Sequence, residues 1–331
     1  MRSILSLDIG GTKMSAAVLT PEGRLLAKRR GPSLAAQGPS SMIDRLLSLA
    51  AEAATEASAA GGDAIDTIGI SCGGPLDPVA GVVLSPPNLP GWDGTPLRAM
   101  VARAVQLPET RAHLENDANA GALAELRFGA ARGRSHALYL TMSTGIGGGL
   151  ILDGRLYRGA TFNAGEAGHQ VVWPGGPPCG CGLRGCLEAV ASGSGIAARL
   201  AERFETLSDA LKTAAGSAAD ISARHLIEAA RAGDACALGF LDETNDLLAR
   251  GIANLVFILN PQIIILGTIV AHAGDLMLIP LREKVRALTW PVLSRDLEIV
   301  ASPLGRRLEE LSGLAVALEG AAGCPPPQPS P

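Results

Sequence analysis

The apolar positions of this chain switch repeatedly between a strand pattern and a helix pattern, and the switches lay out the fold. Residues 3–9, SILSLDI, form a short apolar run of strand length that carries one acid, Asp8. Gly10, Gly11 and Thr12 turn the chain, residues 16–19 are apolar again, and Pro21, Glu22 and Gly23 mark a second turn. That is strand, glycine turn, strand, turn, strand. Residues 40–60 place Met42, Ile43, Leu46, Leu47 and Leu49 on one broad helical face that stops at Gly61-Gly62. The spacing then predicts a strand at 65–71, a short strand at 81–84, a helix at 96–106, a strand running into Glu115, and a helix at 120–128. A strand at 137–142 leads into STGIGGG, read as a second glycine turn before a strand at 150–152. Helices follow at 194–204, 218–232 and 235–257. Asn260-Pro261 breaks the last of these, and a buried strand occupies 263–266. Helices at 276–288 and 308–318 enclose a strand at 297–301. Strands alternating with helices indicate an α/β fold.

Composition narrows the class. A chain of 331 residues with 47 % hydrophobic and 18 % charged residues buries a large core and divides into two lobes. The net charge of −4 comes without a basic run, which argues against a nucleic-acid partner. The longest apolar stretch, 252–269, is interrupted by Asn254, Asn260, Pro261, Gln262 and Gly267, so no membrane span is expected. The first residues lack a signal peptide's apolar segment. Three of six cysteines are clustered, which fits a reducing cytoplasm and one metal site; Cys72, Cys236 and Cys324 read as ordinary thiols. The tail 321–331 is Pro-rich and expected to be disordered.

Candidate chemistry concentrates in one window. His169, Cys179, Cys181 and Cys186 are spaced H-x9-C-x-C-x4-C, a donor set suited to a closed, structural, tetrahedral Zn²⁺. Gly180, Gly182 and Gly185 allow the tight turns that convergence needs, and a Cys-x-Cys pair is a poor disulfide. Glu166 and Glu188 flank the ligands, so the metal would pin two carboxylates beside a rigid knuckle. The turn at Gly10 can offer amide N–H groups and the Thr12 hydroxyl to a phosphate, with Asp8 placed to hold Mg²⁺; it is equally a plain hairpin turn. The second turn, with Ser143 and Thr144, repeats that logic, and the pair suggests a nucleotide gripped from two sides. Asn88, Trp92 and Asp93 lie in a loop dense in Pro and Gly and are candidate ligand contacts. Asp117 stands where strand gives way to helix, a position that serves either a ligand or a helix cap.

Eight segments, in order over about 260 residues, carry a resemblance: DIGGTK at Asp8, GGPLD at Gly73, PPNLPGW at Pro86, ENDANA at Glu115, STGIGGGLI at Ser143, GEAGH at Gly165, CGCGLRGCLEA at Cys179 and NPQIIILG at Asn260. The chain resembles the ROK family of sugar kinases and sugar-responsive repressors, nearest its bacterial glucokinase and fructokinase branch. The resemblance implies an actin-like ATPase fold of hexokinase type, related to ribonuclease H, in two α/β lobes. These are 1–118 and 119–302, with a C-terminal helix at about 303–320 packing back on the first. It implies ATP-dependent phosphorylation of a hexose, glucose by default and at O6, with Asp117 as general base. Asn88, Asn116, Glu166, His169 and Glu188 would join Asp117 in holding the sugar. Asp8, Gly10, Gly11, Thr12, Lys13, Thr144, Gly145 and Gly267 would line the site of Mg-ATP. A homodimer or tetramer is implied as well. Gly73, Thr268, Glu309 and Ser312 depart from the family pattern. Two alternatives remain: a family repressor, for which the strand at Ser3 leaves no preceding helix-turn-helix, and a sugar-binding protein without catalysis.

Overall fold

The computed structural model describes residues 2–84, 86 and 89–323. The first half runs β1 (Ser3–Ile9), β2 (Lys13–Leu19), β3 (Leu25–Pro32), α1 (Gly38–Ala59), β4 (Ile65–Cys72), the small pair β5 (Leu76–Asp77) and β6 (Val82–Val83), α2 (Leu97–Ala104), β7 (Ala112–Asn116) and α3 (Asp117–Phe128). The second half runs β8 (Ala137–Met142), β9 (Ile146–Leu152), β10 (Arg155–Tyr157), α4 (Leu187–Ala191), α5 (Gly193–Glu202), α6 (Asp209–Ala215), α7 (Ala223–Arg231), α8 (Ala235–Leu259), β11 (Ile263–Leu266), α9 (Thr268–Ala273), α10 (Asp275–Leu288), α11 (Pro291–Ser294), β12 (Glu298–Ala301) and α12 (Leu308–Ala321).

The two halves share one topology. The first sheet has strand order β3-β2-β1-β4-β7 and the second β10-β9-β8-β11-β12. In each, three antiparallel strands are joined by hairpins and two further strands add in parallel beside the first. Each hairpin turn therefore leaves the sheet where its parallel strands also end, the side on which open α/β sheets present ligand-binding groups. No helix among the described residues is long and apolar enough to cross a membrane.

Local signals explain the elements and correct several sequence expectations. Helix α1 starts at Gly38, two residues before the expected 40, because Pro39 suits a first helical turn. The expected helix at 218–232 is instead α7, beginning after Ser222, and α6 occupies residues the periodicity had left unassigned. Helix α6 has a signal of its own, for the Ser208 hydroxyl accepts from the Leu211 N–H at 3.3 Å. Helix α3 begins at Asp117 and not at 120, which places the expected lobe boundary at 118 inside its first turn. Helix α12 runs to Ala321, one residue past the expected 320. The disorder expected of the tail concerns residues 324–331, outside the described residues.

Three apolar clusters fill the molecule. One lies under the second sheet and α8, and one between the first sheet, α1 and α2. The third joins the sheets: Ile4, Ala17 and Leu19 from the first and Ala137, Tyr139 and Ile265 from the second meet across α3 and α12. Helix α12 lies on β1 and β4 at backbone contact. A Cβ on Gly69 would overlap the Gly313 carbonyl oxygen, and the Ser6 hydroxyl donates to the Glu310 carbonyl at 2.7 Å. Glu309, one of the departures from the family pattern, pairs with Lys28 at 3.0 Å and with Arg30 at 3.2 Å, so charges on β3 reinforce this docking. We expect Gly69→Ala to destabilise the protein by about 1–3 kcal/mol, the usual cost of forcing atoms into a filled contact. A denaturant midpoint unchanged from the wild type would show that α12 can retreat at no cost.

Candidate active site

Three strand ends of the first sheet converge. Asp8 of β1 pairs in register with Ser71 of β4, and Cys72 of β4 with Asn116 of β7. Ser71 donates to Asp8 Oδ1 at 3.0 Å. Burial pushes the Asp8 carboxyl up to about 7 despite the Ser71 hydrogen bond, with the charges of Glu309 and Asp117 adding to the rise and Lys13 opposing it. The hairpin turn beyond it is fastened from outside. Gly10 N–H donates to Lys13 O at 3.0 Å, Ser33 N–H donates to Thr12 O at 3.0 Å, and the Ser33 hydroxyl donates to Gly10 O. Thr12 and Lys13 face solvent. Sequence reasoning missed Ser71 and Ser33, since a lone serine in a strand or loop carries no spacing signal.

Asp117 is the first residue of α3. The cap is Asn116, whose Oδ1 accepts from the N–H groups of Ala118 at 2.9 Å and Asn119 at 3.4 Å. Of the two roles open to Asp117, capping thus belongs to its neighbour. The Asp117 side chain faces solvent, and one of its oxygens accepts from Ala118 N–H at 2.8 Å. It is nonetheless ringed by protein. That desolvation raises its carboxyl to about 6 against the opposing Ala118 hydrogen bond, and the Glu166 charge raises it further.

The four metal-ligand candidates come together. Their donor atoms all lie within 4.8 Å of one another, with Cys181 Sγ to Cys186 Sγ at 3.7 Å and Cys179 Sγ to His169 Nδ1 at 3.6 Å. A tetrahedron with Zn–S bonds of about 2.3 Å has S···S edges of about 3.8 Å, close to these two separations, so the donor set fits that ion with a contraction of its widest edges. His169 turns its other nitrogen, Nε2, to Glu166 Oε2 at 3.8 Å. Burial raises the Glu166 carboxyl; the His169 ring lowers it and Glu188 raises it. Glu188, in the first turn of α4, bridges two elements: Oε2 accepts from Ile146 N–H at 2.9 Å, and Oε1 lies 3.9 Å from Cys179 Sγ.

The second glycine turn is shorter than the sequence suggested. Only Ser143, Thr144 and Gly145 turn, while Gly147, Gly148 and Gly149 belong to β9. Gly147 and Gly149 are glycines because α3 lies against that strand: a Cβ on Gly149 would stand 2.6 Å from Ala122 Cβ, and one on Gly147 3.1 Å from Ala118 Cβ, while one on Gly148, on the other face, would stand 2.6 Å from the Gly165 carbonyl oxygen. Gly145 leaves room for the Glu188 carboxylate, which a Cβ would overlap. The turn is tied to the α4–α5 junction, with Gly193 N–H donating to Ser143 O at 2.7 Å and the Ser194 hydroxyl to Thr144 O at 2.6 Å. Gly267 ends β11 next to β8, its N–H on Leu140 O at 2.8 Å, and Thr268 follows with φ of 20°, at the edge of a region that β-branched residues disfavour. Asn88 lies outside the described residues. Glu166, His169 and Glu188 therefore form one group linked through Cys179, Asp117 lies within electrostatic reach of Glu166 and of Asp8, and Gly267 sits at the corresponding strand end of the second sheet.

Comparison with known proteins covers nearly the whole chain. The ROK family profile matches residues 4–314. A glucokinase of Thermotoga maritima is 40% identical over 302 residues, 91% of this chain and 92% of its own length. Among solved structures, a ROK hexokinase from Thermus thermophilus is 35% identical with a TM-score of 0.79, covering 97% of this chain and 100% of its own. A ROK family glucokinase from Streptomyces griseus, in complex with glucose and AMPPNP, is 33% identical with a TM-score of 0.81, covering 96% and 98%.

Proposed function

The chain belongs to the ROK family, and from that premise we propose that it transfers the terminal phosphoryl group of ATP to a hexose, glucose first among them, at O6. Asp117 carries the reading: a carboxylate left uncapped at the head of α3, open to solvent, with its acidity shifted toward neutrality. A general base works best with a pKa near the working pH. Asp117 accepts the proton of the sugar hydroxyl as that oxygen bonds to the terminal phosphorus, and the bond from phosphorus to ADP breaks. Phosphoryl transfer asks mainly for positioning and charge neutralisation. Asn116, Glu166, His169 and Glu188, with Asn88, hold the sugar hydroxyls. Gly10, Gly11, Thr12, Lys13, Thr144, Gly145 and Gly267 line the nucleotide site between two lobes, 1–118 and 119–302.

His169 Nδ1, Cys179, Cys181 and Cys186 would hold Zn²⁺, which supplies a closed structural node and no reactive water. Their convergence within 4.8 Å supports that assignment. Asp8 would hold Mg²⁺, whose charge would favour the ionised carboxylate that burial alone disfavours. A cytoplasmic homodimer or tetramer completes the reading.

Two measurements test it. The first is ADP release with Mg-ATP across hexoses and N-acetylhexosamines, where sugar-dependent turnover with glucose among the best substrates is expected. Sugar binding without turnover for any of them would favour a sensor. The second is the pH dependence of kcat/KM. Protonated Asp117 is inactive, so the acid limb should fall at about pH 6, with activity lost below it and constant above. A profile flat down to about pH 4.5 would move the base elsewhere.

A further inference from the structure

A buried ion pair lies behind Asp117, and the chemistry so far does not use it. Arg158, just after β10, donates from Nε to Glu115 Oε2 at 2.7 Å, with the side chains only 12% and 3% exposed. The other oxygen, Glu115 Oε1, accepts from Asn116 N–H at 3.0 Å and from Asn119 Nδ2 at 3.0 Å. One carboxylate thus grips the residue before Asp117 and the residue two beyond it. The Arg158 carbonyl accepts from Ala164 N–H at 3.0 Å, closing the loop that leads to Glu166. We propose that Arg158, acting through Glu115, is the positioning residue that fixes the Asp117 carboxylate and couples it to the Glu166 loop. The proposal rests on Asp117 being the base of the kinase reading.

The physical case is one of constraint. A buried carboxylate with a single cationic partner is held by that partner, and removing the cation leaves the charge uncompensated. Glu115, its charge unpaired, would then turn toward water. That turn releases the Asn119 side chain and the Asn116 N–H, so the first turn of α3 loses its brace. The titratable groups within electrostatic reach of Asp117 are Glu166 from the loop, Asp8 from β1, Cys72 from β4 and Tyr139 from β8, with Lys13 of β2 near Asp8. An unpaired Glu115 adds a negative charge to that set and makes Asp117 harder to ionise.

The test compares Arg158→Met, Arg158→Lys and the double variant Arg158→Met with Glu115→Gln, each checked for folding by circular dichroism. Arg158→Met should lower kcat about 10- to 100-fold, the scale of a misplacement near 1 Å. Its KM for ATP should be unchanged, and its acid limb should move to higher pH. Arg158→Lys should return the limb and most of kcat. The double variant should return the limb without the rate, since charge is balanced but the brace is gone. A limb that stays put in every variant, with activity falling only as folded protein falls, would reduce the pair to a structural brace. Wild-type kcat in Arg158→Met would overturn the proposal as well. Should Arg158→Met fail to fold, Arg158→Gln takes its place: a kcat lowered about tenfold or more with the acid limb moved to higher pH supports positioning, and wild-type kcat refutes it. Absence of turnover in the wild type would instead strike the kinase reading itself.

Discussion

Asp117→Asn should lower kcat by about 10²–10⁴-fold, the usual worth of a general base, with the sugar dissociation constant within about threefold of wild type. The two effects separate because Asn keeps the shape and one acceptor oxygen of Asp. The Ala118 N–H bond at 2.8 Å can persist, and the Asn116 cap is untouched, so α3 starts where it did. Only the ability to take a proton is lost. The same substitution removes a carboxyl that the fold holds at about 6 in place of its ordinary value near 3.8. Between those values the folded state binds the proton more tightly than the unfolded state. Stability from this group therefore falls as pH rises through the window, and its cost is fully present above about 6. The variant should accordingly melt higher than wild type at pH 8, with the difference vanishing below the ordinary value. Isothermal titration with glucose and a steady-state assay read both halves. Loss of sugar binding in parallel with turnover would make Asp117 a sugar ligand only.

The second large effect is expected at the knuckle. Cys181→Ser should abolish stoichiometric zinc and weaken sugar binding at least about 100-fold, because Glu166, His169 and Glu188 lose their common anchor. The segment between Gln170 and Leu187 has little else to hold it. Val171, Trp173, Cys181 and Leu183 are exposed, Val172 and Cys186 are its buried apolar side chains, its strand pairing is confined to the isolated bridges Val171–Cys186 and Pro178–Arg184, and its other backbone hydrogen bonds, such as Val172 N–H to Gly185 O at 2.9 Å, close turns within the segment. Such segments draw their folding free energy from the metal. Leu187 and Val190 are buried in the core under the second sheet, so the collapse should stop at α4 and leave most of the molecule folded. Metal analysis and glucose titration test this, with Cys236→Ser as the control that keeps its zinc. Full metal content in Cys181→Ser would refute the four-ligand site.

The sequence disclosed those parts of the molecule that depend on near neighbours. Ser3–Ile9 reads as a strand because its apolar run ends in glycines, and the four metal ligands read as a site because they fall within eighteen positions. What escaped depends on distant partners. Gly147, Gly148 and Gly149 looked like a turn, and only the approach of α3 to Gly147 and Gly149, and of the Gly165 carbonyl to Gly148, reveals why a strand needs glycines there. Asn116 and Asp117 are equally good caps by type, and it is Asn116 that stands in extended backbone at the end of β7 with its side chain on the Ala118 and Asn119 N–H groups. Ser71, Ser33 and Arg158 act across 63, 23 and 43 positions respectively, and no local pattern announces a partner so far away. The repeated strand order of the two sheets was half visible, as two strand–turn–strand units, because hairpins are local; the parallel strands that complete each sheet are not.

The measurement that bears most directly on the central claim is ADP release by wild type and Asp117→Asn side by side, with Mg-ATP in the presence and absence of glucose. Glucose-dependent ADP release by the wild type, absent from a variant that still binds glucose, is the predicted result. Equal release by the two proteins, or release by the wild type that ignores glucose, would contradict it.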